Sequence, residues 1–300
     1  MLSEREFYDY VRQHILEYVR DAEGKEARVQ KICRNNQVMI AALSIGREGE
    51  HLQPVLYLEP YYQEYAKGWD LSEIMCGIGT AYEECSLGFD LDEQKMTDYG
   101  YIKDRLFYRL VHYGKNREML KMCPFDQMED LAVTYRWMAY RNADGMASAL
   151  VRKRDLLMWG VDEEQIKKDA RRNTEKIFPP VLKKIESVIP VQVEESGIPV
   201  FVLSNSDYMN GASAMIYQEV LYDFASRMEQ NLYILPSSIH EVILLREEDV
   251  ENVRELSYMV KETNQTIVNP EEILSDHVYY YDRRSDRIRI ADHPGWTGMS

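Results

Sequence analysis

The chain has 300 residues, of which 45% are hydrophobic, and it carries a formal net charge of −15 at pH 7. A chain of this length can bury a core without disulfides or metals, and its apolar content is typical of a folded protein. The negative charge argues against binding to nucleic acids, because their phosphates attract clustered Lys and Arg. The basic runs at 151–155, 167–172 and 282–290 contain or adjoin acidic residues, which is typical of solvated faces.

No stretch of the sequence has the character of a membrane span or a secretory signal. The longest apolar runs, such as 242–245, fall far short of the roughly 20 residues that span a bilayer. Charged residues occupy the N-terminus at Glu4, Arg5, Glu6 and Asp9, where a signal would need its apolar core. We therefore expect a cytoplasmic protein that does not enter the membrane.

The cysteines, tyrosines and methionines leave more than one interpretation open. The cysteines Cys33, Cys76, Cys85 and Cys123 show neither CxxC spacing nor a nearby histidine set, so we expect buried reduced thiols. The 22 Tyr and 15 Met residues suit an adaptable binding surface, because Tyr combines a large apolar ring with a polar tip and Met is flexible. They also suit the core and its edge, which is the interpretation that we favour.

The first 130 residues alternate predicted helices and strands. Ser3 and Glu6 have the spacing of a capping box at the start of an amphipathic helix that extends to Asp21. The other predicted elements are strands at 28–34 and 37–46 joined by a turn at Asn35-Asn36, a strand at 54–58, a helical turn ending near Gly68, a helix capped by Asp70 or Ser72 and ending near Cys85, a helix at 92–106, a strand at 107–114 and a connection at 115–130.

The remaining residues show the same alternation. The predicted elements are two extended runs around a turn at 142–145, helices at 162–177, 181–189 and 211–228, a strand at 200–203, paired strands at 232–236 and 239–245, a helix within 246–264, and a hairpin at 277–291 turning near Ser285. This order predicts an α+β fold with mostly antiparallel sheets built from hairpins and intervening helices. We expect two halves, 1–125 and 126–300, or a single composite domain.

The segment 237–241 places two serines beside His240 and Glu241. It does not complete the zinc motif HExxH, because position 244 is Leu. In a strand, His240 and Glu241 would face opposite sides, whereas Ser238 and His240 would share a face with their backbones ~7 Å apart. That separation is too long for a nucleophile and its base, so a turn between two strands is the simpler interpretation.

The better candidate for ligand binding is the loop 204–211, which follows a predicted strand and precedes a helix. Such a loop can present polar groups and free helix amides to a ligand, although the sequence matches neither a P-loop nor GxSxG. We select Asn205, Asn210 and Gly211 as candidate ligand-binding residues, and Asp207, Ser238 and His240 as candidate catalytic residues. His240 and His277 are candidate metal donors, and His293 adds another, but no complete metal site and no cofactor is predicted.

Three stretches carry a family resemblance: RNNQV at 34–38, PVLYLEPYYQEYAKG at 54–68 and LYILPSSIHEVILL at 232–245. In this order and spacing they resemble a family of bacterial proteins of unknown function common in clostridial gut anaerobes. The resemblance covers nearly the whole chain. It implies a bacterial cytoplasmic origin, from a chromosomal or mobile-element locus, and assigns no catalytic residue.

Two functional hypotheses follow from these patterns. The leading one is a non-catalytic cytoplasmic binding protein whose partner is another protein or a second copy of the chain. The alternative is a hydrolase with a site assembled from the 204–211 loop and the 237–241 segment, with His277 as a further member. A nucleic-acid role through the arginines at 283–289 ranks third, because the chain is strongly acidic.

Overall fold

The computed structural model describes residues 1–47, 54–87, 93–142, 145–188 and 198–292. These residues form two compact units, of which the first contains Met1–Met96 and Tyr140–Met146 and the second contains the rest. The predicted division after residue 125 falls inside the second unit, and the two predicted halves stay a prediction. The centre of the predicted 142–145 turn, His51 and His293 lie outside the described residues.

The first unit is built around a three-stranded antiparallel sheet with the order β1-β2-β3. Its elements are α1 (Glu4–His14), β1 (Glu26–Cys33), β2 (Met39–Gly46), β3 (Leu56–Tyr57), α2 (Glu59–Ala66), α3 (Leu71–Leu87) and α4 (Glu93–Thr97), which ends at the boundary of the unit. The predicted capping box between Ser3 and Glu6 is confirmed at the start of α1. The predicted hairpin is confirmed as well, with Asn36 at a φ of 59° in the turn.

An apolar cluster packs the helices of the first unit against its sheet. Phe7, Val11 and Ile15 pack with residues of β2 and α3 and have no exposed area. Gly79 lets α3 approach the 3-10 turn Ile15–Tyr18, because a Cβ at position 79 would lie 2.3 Å from the backbone oxygen of Tyr18. This close approach requires glycine on that face of the helix.

The second unit begins with short helices and a four-stranded sheet. Its first elements are α5 (Tyr99–Ile102), β4 (Leu106–His112), α6 (Arg117–Leu120), β5 (Phe125–Met128), β6 (Leu131–Asn142), β7 (Gly145–Leu150), α7 (Lys153–Trp159) and α8 (Glu163–Ile177). The end of β6 and the start of β7, within Tyr140–Met146, belong to the first unit. β6 pairs with β4, β5 and β7. The helix α8 packs on β4, where the Thr174 hydroxyl accepts a hydrogen bond from the Tyr108 amide at 3.1 Å.

A six-stranded sheet forms the rest of the second unit, with the order β13-β12-β10-β11-β9-β8. Its elements are β8 (Pro180–Lys184), β9 (Phe201–Asn205), α9 (Val220–Met228), β10 (Leu232–Leu235), β11 (Val242–Arg246), α10 (Val253–Thr266), β12 (Tyr279–Asp282) and β13 (Arg287–Ile290). Neighbouring strands in this sheet run antiparallel. The predicted α+β class with antiparallel sheets and intervening helices is therefore confirmed.

Several local predictions of secondary structure are wrong. The predicted helix at 181–189 is the strand β8 followed by a 3-10 turn, because five residues of β8 pair with β9. The predicted helix at 211–228 is a 3-10 segment, Gly211–Ile216, and then α9, separated by Glu219 at a φ of 64°. The 92–106 helix is broken into short helices, and the 115–130 connection contains α6 and β5.

Two predictions from composition have different outcomes. None of the helices in the described ranges has the length and apolar character needed to cross a lipid bilayer. The four cysteines are free thiols, but the prediction that they are buried is wrong for Cys33, Cys76 and Cys85, which are exposed, and right for Cys123. Cys33 lies at an exposed position of β1 beside the half-buried Ile32, and spacing along the chain does not reveal this exposure.

Candidate functional site

The 204–211 loop and the 237–241 segment lie against each other in the second unit. The Ala212 amide donates to the carbonyl of Ile239 at 3.1 Å, and the Ser204 hydroxyl donates to the carbonyl of His240 at 2.7 Å. The loop follows β9 and the segment precedes β11, which is the neighbour of β9 in the sheet. The adjacent strands therefore bring the two predicted segments together.

Gly211 marks the closest approach of the two segments. A Cβ at this position would lie 2.1 Å from the Ser204 hydroxyl oxygen, 2.6 Å from the Asn205 amide nitrogen and 2.6 Å from the His240 carbonyl oxygen. Two of these atoms belong to the backbone and cannot rotate away. Gly211 is thus required by packing, and nothing in this geometry makes it a ligand-binding residue.

Asn205 fixes the shape of the loop from within. Its buried side chain accepts a hydrogen bond from the Asp207 amide at 3.1 Å and donates to the Met209 carbonyl at 2.9 Å. The residues Tyr208 and Asn210 adopt the left-handed region, with φ values of 54° and 53°. A bulky residue adopts this region only when its surroundings determine the conformation, so the loop is held in a defined and strained shape.

The imidazole of His240 has a partner on each nitrogen. Nδ1 lies 3.3 Å from the Asn210 amide, which donates to it, and Nε2 lies 3.4 Å from Glu272 Oε1. The first contact is a hydrogen bond from a backbone amide, and the second is a close approach of the imidazole to a carboxylate. His240 therefore connects the loop to Glu272 and has no nitrogen directed at a nucleophile among the described residues.

Ser238 does not act on the imidazole of His240. Its hydroxyl oxygen accepts a hydrogen bond from the His240 amide at 2.9 Å, and the residue is buried. The prediction that Ser238 and His240 share a strand face is wrong, because β11 begins at Val242 and Ser238 forms an isolated bridge with Ile273. The predicted turn chemistry, in which a serine satisfies backbone groups, is what the structure shows.

The remaining predicted residues also have roles in holding the loop. The carboxylate of Asp207 accepts a hydrogen bond from the Ser206 hydroxyl at 3.0 Å. The side-chain oxygen of Asn210 accepts from Arg109 on β4 at 3.2 Å. The structure thus brings together Asn205, Asp207 and Asn210 with the 237–241 segment, as an internally bonded unit.

Sequence reasoning missed the apolar side chains that the loop exposes. Tyr208 and Met209 are each 45% exposed, and the Tyr208 hydroxyl accepts a hydrogen bond from Lys183 Nζ at 2.7 Å. The Lys183 ammonium also lies 5.5 Å from the centroid of the Tyr208 ring. The signal available in the sequence was a Tyr-Met pair between Asp207 and Asn210, where a loop would ordinarily be polar.

His277 lies in a different set of contacts within the second unit. Its Nδ1 is 2.9 Å from Asp292 Oδ1, and the Ser257 hydroxyl donates to Asp292 Oδ2 at 2.6 Å. The hydrogen bond to Asp292 raises the pKa of His277. For Asp292, burial acts to raise the pKa, but the bonds from His277 and Ser257 outweigh it and lower that pKa.

Neither candidate metal donor is surrounded by a ligand set. Glu272 is the acidic partner of His240, and Asp292 is the acidic partner of His277. Across the described ranges, no group of three or more His, Cys, Asp or Glu side chains is arranged to hold a metal ion. Each of these two contacts joins one imidazole nitrogen to one carboxylate.

Comparison with known proteins identifies a family. The sequence matches the profile of a family of unknown function, DUF5688, over residues 4–283, which is nearly the whole chain. No curated protein and no solved structure matches the sequence. The match agrees with the family resemblance of the three sequence stretches in its extent along the chain.

Proposed function

We propose that this chain, which belongs to the family of unknown function DUF5688, is a non-catalytic binding protein that contacts a protein partner through its 204–211 loop. The observation that carries the proposal is the exposure of Tyr208 and Met209 on a loop whose polar groups bond internally. We further propose that the protein belongs to the bacterial cytoplasm. The likeness of 34–38, 54–68 and 232–245 to a bacterial family supports this origin.

The residue types and the rigidity of the loop favour a protein partner. Tyr and Met are enriched at protein interfaces, because each offers a large apolar area that packs into a pocket. Asn205 and His240 hold the loop in one conformation, which lowers the entropy lost on association. The strained backbone at Tyr208 is consistent with a shape that is kept for recognition.

A hydrolase built from the same segments is the weaker proposal. Nucleophilic catalysis needs a hydroxyl within hydrogen-bond reach of a base that can accept its proton. Ser238 accepts from a backbone amide, Ser204 donates to the His240 carbonyl, and both imidazole nitrogens of His240 have partners. Turnover of ester or amide substrates that disappears in His240→Gln would favour the hydrolase over the binding protein.

Site-specific crosslinking tests the proposed binding surface. The photoreactive residue p-benzoylphenylalanine is placed at Tyr208, and as a matched control at Tyr222, which is 48% exposed on α9. We expect one discrete protein adduct in cells from position 208 and none of the same mass from position 222. Excess wild-type protein should compete for the adduct, whereas a Tyr208→Ala, Met209→Ala variant should not.

Other crosslinking results contradict the proposal. Equal adducts from Tyr208 and Tyr222 would mean that the loop has no special affinity for a partner. If the Tyr208→Ala, Met209→Ala variant competes as strongly as the wild type in the assay, that result would exclude the two side chains as the contact with the partner. The circular dichroism spectrum of each variant establishes that it is folded.

A further inference from the structure

The strand β8 is an edge of the six-stranded sheet and is next to the 204–211 loop. In the described part of the chain, β9 is its neighbour in the sheet, and its other side has no strand. The pairing register of β8 with β9 shows which backbone groups of β8 point away from the sheet. The Ser206 amide donates to the Pro179 carbonyl and the Ile185 amide to the Val200 carbonyl, so the odd-numbered residues of this stretch bond toward β9.

The even-numbered residues of β8 therefore direct their backbone groups away from the sheet. Leu182 presents both its amide and its carbonyl on that side, and Lys184 presents its amide. The Lys184 carbonyl accepts a hydrogen bond from the Ser187 hydroxyl at 2.6 Å. An extended chain laid along this edge would find donors and acceptors at the spacing of a sheet ladder.

The side chains on this edge are basic in an acidic protein. Lys183 and Lys184 are both exposed, and within the described residues neither forms an ion pair with a carboxylate. The net charge of the chain is −15, so a pair of uncompensated lysines on one strand attracts acids locally. The Lys183 bond to Tyr208 joins this edge and the exposed part of the loop into one surface.

We propose that β8 accepts an extended acidic segment of the partner protein as an added antiparallel strand, with Tyr208 and Met209 contacting one end of that segment. Strand addition takes its affinity from main-chain hydrogen bonds and its specificity from alternate side chains. Leu182 supplies the main-chain bonds, and Lys183 and Lys184 select carboxylates. This inference rests on the proposed function and names the chemistry of the partner.

A second copy of the chain does not fit this edge. Pairing two β8 strands would bring Lys183 and Lys184 of each copy together, and like charges across a strand pair destabilise it. The opposite edge, β13, exposes Arg287 and Arg289, so pairing β8 with β13 would also juxtapose cations. Short basic edge strands resist indiscriminate pairing. The positive charges of Lys183 and Lys184 favour an acidic strand as the partner of β8.

Peptide selection on the full-length protein tests the inference. A library of random peptides of about ten residues, long enough to cover β8 and the loop, is selected against the immobilised protein. Because Lys183 and Lys184 project to opposite faces of β8, we expect enriched peptides with two adjacent acidic residues, and binding that weakens as ionic strength rises. Lys184→Glu, which leaves the Lys183 contact with Tyr208 in place, should lower the affinity about tenfold. N-methylation of alternate peptide amides should also weaken binding, because it removes main-chain donors.

The control and the contrary results separate this inference from the proposed function. An Arg287→Glu, Arg289→Glu variant changes the same charge type on the opposite edge and should bind the peptides with unchanged affinity. The inference is overturned if no acidic peptides are enriched, or if Lys184→Glu binds them as well as the wild type. A dimer that Lys184→Glu strengthens would also overturn it by assigning the edge to a second copy. A partner crosslinked from position 208 would leave the binding function intact in each case.

Discussion

The phenol of Tyr279 donates a hydrogen bond to the carboxylate of Asp130, a residue 149 positions away in the chain. Asp130 also accepts from the Ser275 hydroxyl at 2.7 Å. Tyrosine bonded to a carboxylate recurs in this protein, in the pairs Tyr135 with Asp126, Tyr99 with Asp169, Tyr280 with Glu247 and Tyr281 with Asp286. The high Tyr content and the acidic composition are therefore connected, because buried phenols use carboxylates as acceptors.

Removing the Tyr279 hydroxyl should destabilise the second unit. Tyr279→Phe keeps the buried ring but leaves one oxygen of Asp130 without its donor, so we expect a loss of about 1–3 kcal/mol in the free energy of unfolding. Urea denaturation at neutral pH measures the change. Tyr258→Phe, at a site that is 74% exposed, is the control and should shift stability by less than about 0.5 kcal/mol. Equal effects of the two substitutions would contradict the role of the bond.

The buried tyrosines predict a loss of stability in alkali. Burial raises the pKa of Tyr108, Tyr135, Tyr217 and Tyr279 in the folded protein. Above the usual tyrosine pKa of about 10, the unfolded chain loses phenol protons that the folded chain retains. Stability is therefore full below that pH and falls as pH rises further. Unfolding midpoints in urea across this range should decrease, and a flat profile would show that these phenols ionise without unfolding.

Gly211→Ala tests the close approach of the loop to the 237–241 segment. The new Cβ would collide with the Asn205 amide and the His240 carbonyl, and we expect a loss of about 1–3 kcal/mol or more in the free energy of unfolding. Ser204→Ala added to this variant should not restore stability, because the backbone collisions remain. Gly77→Ala is the matched control, since its Cβ would have its nearest neighbour at 4.0 Å on a helix. Full stability of Gly211→Ala would disprove the predicted collision.

The ion pair of His277 and Asp292 should give a defined dependence on pH. The raised pKa of His277 contributes stability that is complete below about pH 6.5 and is lost as pH rises through its folded pKa. The lowered pKa of Asp292 contributes stability above its usual pKa that is lost as pH falls through its folded pKa. Asp292→Asn should therefore lower the His277 pKa, measured by NMR titration of the imidazole.

His112 provides an internal control for that titration. Burial lowers the pKa of His112, so it should titrate at a lower pH than His277 in the wild-type protein. Asp292→Asn should bring the two titrations closer, mainly by moving His277. If the His277 resonance keeps its position in Asp292→Asn, the contact with Asp292 does not set its pKa.

Two substitutions at His240 distinguish the hydrogen bond from the Asn210 amide from the packing of the imidazole ring. The side-chain oxygen of Asn lies near the place of Nδ1, so His240→Asn should still accept from the Asn210 amide, whereas His240→Leu should not. We expect hydrogen exchange at the Asn210 amide to be about tenfold faster in His240→Leu, and close to wild type in His240→Asn. The Leu244 amide on β11 is the reference. Identical exchange in both variants would mean that the imidazole does not hold the loop.

Local patterns in the sequence identified the elements whose causes lie within a few residues. The Ser3 capping box, the turn at Asn36 and the cap of α8 at Asp162 each join groups that are close in the chain. The pairing of 232–236 with 239–245 was also predicted, and β10 does pair with β11. These features depend on hydrogen bonds between residues close in the chain and on backbone preferences, and the local sequence by itself determines both.

Tertiary structure decided the rest, because its causes are residues far apart in the chain. β8 is a strand and not a helix because β9 supplies its ladder, and position 211 requires glycine because β9 and the 237–241 segment meet there. His240 has its two nitrogens occupied by Asn210 and Glu272, which no local spacing indicates. Long-range contacts of this kind depend on the packing of the whole sheet. The sequence alone therefore identified the candidate residues but not their contact partners.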